Sequence, residues 1–79
     1  MKHIAGHYYH VYNRGVEKRN IFASEANYLF LLRRIRKYLP SYAVSLVAYC
    51  LMPNHYHLLI YVEQDNALGS FLQRLFTIQ

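Results

Sequence analysis

A single cysteine, Cys50, stands among 79 residues. It excludes an internal disulfide, and one thiol cannot build a Cys-type zinc site. Acidic residues are also scarce, four Asp and Glu against nine Lys and Arg, so the chain carries a net charge of +5 and a pI near 9.6. Such a surface favours phosphate-bearing partners, nucleic acid before anionic membrane. No apolar run approaches the roughly 20 residues needed to span a bilayer. The opening residues 1–7 hold no apolar signal core. Together with the lone thiol, this points to a cytoplasmic protein with no membrane partner. Charged residues make up only 16% and hydrophobic ones 54%, which excludes intrinsic disorder.

What is present fits one domain spanning residues 1–79. A folded chain of this size hides only about 60% of the surface its unfolded form exposes. Its stability is therefore marginal unless a partner, a metal or more chain contributes. Nine Tyr and four Phe supply the core with aromatics. Neither repeats nor low-complexity stretches interrupt the chain.

Residues 7–14, rich in aromatic and β-branched side chains, read as a strand that Gly15 ends. Tyr8, His10 and Tyr12 share one face of it; His7, Tyr9, Val11 and Asn13 share the other. A basic loop through Asn20 follows. Ser24 is suited to cap a helix and Glu25 to sit in its first turn. Tyr28, Leu31, Leu32, Ile35 and Leu39 then recur at helical spacing until Pro40 stops the helix near Leu39. Val44 to Met52 is apolar at nearly every position and reads as a strand buried on both faces. Pro53 and Asn54 make a tight connection to a second strand, His55 to Val62, so the two must pair as an antiparallel hairpin. After a polar turn, residues 67–79 read as an amphipathic helix with Leu68, Phe71, Leu72, Leu75 and Phe76 on one side.

The order β-α-β-β-α predicts an α+β fold. It is a ferredoxin-like split βαβ unit, an antiparallel sheet with helices on one face, incomplete at the C-terminus because the last strand is missing. No Gly or Asn cap closes the final helix by Gln79. The expectation is a fragment of something longer, or a core completed by another chain.

The sharpest chemical feature is His55-Tyr56-His57. Side chains alternate along a strand, so the two histidines share a face, with Cα atoms about 7 Å apart, and can converge on one ion. Imidazole suits Zn, Mn, Fe and Cu better than Mg or Ca. Tyr56 points the other way, and Leu58, Ile60 and Val62 continue its face and anchor the strand. A His-x-His pair on a half-exposed strand also occurs merely as polar groups facing water, and two ligands are too few for a tight site. Glu63 shares the parity, but eight residues of extended strand put it roughly 25 Å from His55.

The run Leu51-Met52-Pro53-Asn54-His55-Tyr56-His57-Leu58-Leu59, preceded by Ala48-Tyr49, resembles the signature of REP-associated tyrosine transposases and their single-strand insertion-sequence relatives. These belong to the HUH superfamily, named for a His-hydrophobic-His strand. Tyr9-His10-Val11-Tyr12-Asn13-Arg14-Gly15 and Arg19-Asn20-Ile21-Phe22 resemble the family's opening strand and loop. The resemblance makes this chain the N-terminal part of an HUH transposase-like catalytic domain, with His55 and His57 as metal ligands. It implies a divalent cofactor, Mg or Mn. It implies metal-dependent cleavage and rejoining of single-stranded DNA, with hairpin-flanked ends as one form of target, through a 5′-phosphotyrosine and a free 3′-hydroxyl. In the family the nucleophilic tyrosine and a further metal ligand lie on a later helix, so the nucleophile is expected beyond Gln79, and no residue here is assigned as catalytic. Tyr28 and Tyr38 read as packing residues, and Tyr61, on the histidine face, as a surface or packing aromatic.

The resemblance also makes Arg14, Lys18 and Arg19 candidates for DNA phosphates, with an ordinary solvated loop as the alternative. Arg33, Arg34, Arg36 and Lys37 fit the dipole preference of a helix C-terminus. Two other functions stay open: a non-catalytic single-stranded DNA or RNA-binding module, and an inactive truncated remnant. A homodimer with joined sheets is consistent with the family and would cover the open sheet edges.

Overall fold

The structure, a computed structural model, describes residues 3–15, 21–22 and 24–77. Strand β1 (Tyr8–Arg14) is followed by helix α1 (Glu25–Tyr38), a 3₁₀ turn (Leu39–Ser41), strands β2 (Val44–Met52) and β3 (His55–Val62), and helix α2 (Ala67–Phe76). The three strands form one antiparallel sheet in the order β1-β3-β2. This is the α+β arrangement read from the sequence, with β3 at the centre.

Strict alternation makes β3 the spine of the core. Tyr56, Leu58, Ile60 and Val62 are buried, the last three completely, and they pack with Leu31 and Ile35 of α1 and Leu68, Phe71 and Leu75 of α2. Each fully buried aliphatic side chain contributes about 1.5–3 kcal/mol of transfer free energy. Phe22 closes one end, stacked on Tyr28 with ring centroids 4.6 Å apart. At the start of α1, Ser24 is the N-cap, and its backbone N–H donates to Asn27 Oδ1 at 3.2 Å. The α-helix ends at Tyr38, with Pro40 taken into the 3₁₀ turn.

Strand β2 departs from expectation. It is not buried on both faces: Val44 is buried, but Val47 and Tyr49 are about half exposed and Cys50 is exposed. Both helices pack on one side of the sheet and β2 lies at its edge, so among the described residues nothing covers its second face, while Tyr49, opposite Leu58 on the helix side, is exposed at the sheet edge. Leu46 opposes Ile60 while Ala48 opposes Leu59, which leaves Val47 as the extra residue of a bulge. The bulge flips side-chain parity, so Ala48, Cys50 and Met52 join the open face.

Arg34 also departs from expectation. It does not serve the C-terminus of its own helix. Its guanidinium donates to the carbonyls of Leu75 (2.8 Å), Arg74 (3.0 Å) and Thr77 (2.8 Å), satisfying the orphan acceptors at the end of α2.

Backbone ties fix the hairpin turn. Ile21 and Phe22 N–H groups both donate to Pro53 O (2.7 and 3.0 Å), and Gly15 N–H donates to Asn54 O (2.9 Å). At the opposite end, Gly6 N–H donates to Val62 O (2.7 Å) and Asn66 N–H to His3 O (2.8 Å). Asn66 takes φ 66°, a left-handed conformation that asparagine tolerates better than most residues.

Candidate metal centre and nucleic-acid face

The register of β3 turns its odd-numbered residues away from the helices. On this open face His55 lies opposite Arg14, His57 opposite Tyr12, Leu59 opposite His10 and Tyr61 opposite Tyr8. From the other edge Met52 faces His55 and Cys50 faces His57. The two histidines thus stand on the central strand, and the core beneath them holds that strand rigid.

His55 and His57 are brought together as their spacing predicts. Their ring centroids are 5.2 Å apart and the rings are perpendicular, at 86°. Two imidazoles sharing an ion at a metal–nitrogen distance of about 2.1 Å place their centroids roughly 5 Å apart. Hydrogen bonds orient both rings. His55 Nδ1 lies 2.7 Å from Asn54 Oδ1. A carbonyl oxygen only accepts, so Nδ1 carries the proton and Nε2 of the neutral ring keeps its lone pair. His57 Nδ1 lies 2.7 Å from His10 Nε2, the two rings near-parallel at 14°.

The surroundings of His57 disfavour its charged form. Desolvation lowers its pKa below the ordinary 6.5, and His10, His55 and Arg14 lower it further. A neutral imidazole is the form that binds metal. The donor set therefore fits a divalent ion held by two nitrogens. Among the described residues no cluster of three or more His, Cys, Asp or Glu is placed to hold a metal.

Arg14 lines the same depression as His55 and His57, together with Tyr12 and Asn13. Lys18 and Arg19 lie outside the described residues. Tyr12 is exposed and lies 6.1 Å from His57 between ring centroids, at 25°. Tyr8 is likewise exposed and packs on Tyr61 at 5.0 Å. Tyr28 and Tyr61 are partly buried packing aromatics, whereas Tyr38 sits among Arg34, Lys37 and Arg74, each 4.8–5.3 Å from its ring. Tyr56, beneath the histidines, has its phenol pushed up by burial, against a hydrogen bond with Asn13.

Sequence reasoning missed Asn54 and left undecided whether His10 faces the histidine pair. Asn54 carried a signal, since it directly precedes the first histidine in a turn. His10 carried only its parity, because its contact with His57 depends on the β1–β3 register.

A small basic α+β domain with two neighbouring histidines on the open face of its sheet, beside an arginine and exposed aromatic rings, suits a nucleic-acid partner. The family described as "Transposase IS200 like" matches residues 3–78, and the chain belongs to that family. No curated protein and no solved structure matches the chain. The family makes this a transposase-like domain with DNA as its substrate class, in keeping with the basic charge.

Proposed function

We propose that this domain is the metal-binding and strand-binding part of an HUH-type transposase acting on single-stranded DNA in the cytoplasm. His55 and His57 hold a divalent ion, Mn or Mg, through their Nε2 atoms. When bound, the ion supplies Lewis-acid polarisation of a phosphate oxygen. Bis-imidazole ligation suits Mn better than the oxygen-seeking Mg. Arg14 neutralises an adjacent phosphate, and Lys18 and Arg19 extend that contact. Tyr12 and Tyr8 offer faces on which unpaired bases stack, each such contact contributing about 1–3 kcal/mol.

The reaction is attack by a tyrosine phenol on the scissile phosphorus. The P–O3′ bond breaks, the phenol proton passes to the departing 3′ oxygen, and the 5′-phosphate stays on the tyrosine. This conserves the phosphodiester for rejoining. The nucleophile is assigned to a segment outside residues 1–79, on the family resemblance. The observation that carries this reading is the pairing of two rings, with centroids 5.2 Å apart, whose Nδ1 atoms are both engaged by neighbours, so that Nε2 is the atom each would offer an ion.

Calorimetric titration with Mn at neutral pH tests it. Binding is expected in the native chain and is lost in His57→Ala. Binding that is absent, or unchanged in His57→Ala, contradicts it. The second reading, a strand-binding module without catalysis, is favoured by the exposed Tyr12 beside Arg14. It predicts salt-sensitive binding of single-stranded DNA that survives His55→Ala and His57→Ala.

A further inference from the structure

The proposed function leaves His10, on this same face, without a role. It stands on β1 opposite Leu59, diagonal to His57, at a separation only long or aromatic side chains bridge. Its Nε2 nevertheless lies 2.7 Å from His57 Nδ1, while Asn54 Oδ1 lies at the same distance from His55 Nδ1. The two metal-facing histidines are thus treated alike. Each has its Nδ1 tied to a neighbour, so that Nε2 is left over.

The direction of the His10–His57 bond decides what His57 can do. If His10 donates, His57 accepts at Nδ1 and must carry its own proton on Nε2, where no lone pair remains for a cation. If His57 donates from Nδ1, His10 accepts through Nε2 and the Nε2 lone pair of His57 is free. Only the second arrangement matches His55, whose partner is an oxygen and can only accept. An isolated histidine side chain in water favours the proton on Nε2, so His57 needs an acceptor to hold the other tautomer.

We propose that His10 is a positioning residue, accepting the Nδ1 proton of His57 and so holding its Nε2 unprotonated and oriented for the divalent ion. The inference rests on the metal-site reading above and adds to it the residue that prepares the second ligand. Hydrogen-bonded partners of this kind orient metal-ligating histidines and raise their basicity, and their loss typically weakens metal affinity by about 10–100-fold. His10 does not enter the ion's own shell: its hydrogen-bonding nitrogen is already committed to His57.

The test combines the tautomer, read without metal, with the affinity. Long-range ¹H–¹⁵N correlation on the metal-free ¹⁵N-labelled chain, at a pH where the rings are neutral, is expected to place the His57 proton on Nδ1. In His10→Leu it should move to Nε2. His10→Gln can set an amide oxygen where the imidazole nitrogen stood and should return it to Nδ1. Mn titration should show about 10–100-fold weaker binding for His10→Leu and near-native binding for His10→Gln. A native His57 protonated on Nε2 overturns the proposal. So does native-strength Mn binding by His10→Leu while His57→Ala abolishes it, or a His10→Gln variant as weak as His10→Leu, which would make His10 a ligand. Mn binding indifferent to His55→Ala and His57→Ala would instead sink the metal site itself. The native tautomer, read without metal, separates that failure from this one.

Discussion

Replacing Arg34 with Ala removes three hydrogen bonds that close the end of α2 from a helix about 40 positions away in sequence. One of them, to Leu75 O, is partly buried and the other two are exposed. A hydrogen bond to a charged group contributes about 1.5–3 kcal/mol. Screening of the exposed pair reduces their share, so the expected loss is about 2 kcal/mol in total. For a domain of this size that corresponds to a fall in Tm of roughly 8–16 °C. Urea denaturation followed by far-ultraviolet circular dichroism should show an earlier midpoint with an unchanged slope. Arg34→Lys separates geometry from charge: it keeps the cation near the α2 dipole but cannot reach three carbonyls, so it should recover less than half of the loss. An Arg34→Ala variant within about 0.5 kcal/mol of native, or a fully native Arg34→Lys, would refute the capping role.

Further outcomes follow from the core, the charges and the open face. Leu58→Ala, at a completely buried position on the central strand, should cost about 2–5 kcal/mol by the same denaturation assay. Partial desolvation alone would raise the Tyr38 phenol, but Lys37, Arg74 and Arg34 outweigh it and hold the pKa below the ordinary 10.0. The folded state therefore loses this proton before the unfolded state does. The stabilisation is present above pH 10.0 and is lost as pH falls through the lowered value. The tyrosinate absorbance difference between the native chain and Tyr38→Phe should have its midpoint below 10.0, and Lys37→Ala should move it up. Arg14→Ala should weaken single-stranded DNA binding in fluorescence anisotropy and reduce the salt slope by about 0.7. An unchanged slope would take Arg14 off the phosphate path.

The parts of this molecule written in local pattern were legible from sequence. The alternation of Tyr56, Leu58, Ile60 and Val62 set both the bounds of β3 and the face of its histidines, because a strand has only two sides. The stripe from Tyr28 to Leu39 marked α1 for a similar reason. What escaped was tertiary. An apolar run does not record that β2 lies at a sheet edge with helices on only one side, so its exposed face could not be read from Ala48 or Cys50. Arg34 looked like a cation completing its own helix, and only the packing of α1 on α2 shows which carbonyls it meets. His10 needed the β1–β3 register, a pairing across 47 positions.

Anomalous diffraction at the manganese edge, from crystals of the native chain grown with Mn, addresses the centre of the account most directly. A peak within coordination distance of both His55 Nε2 and His57 Nε2 is the predicted result. A peak elsewhere on the surface, or none at these rings while they keep their present orientation, contradicts it.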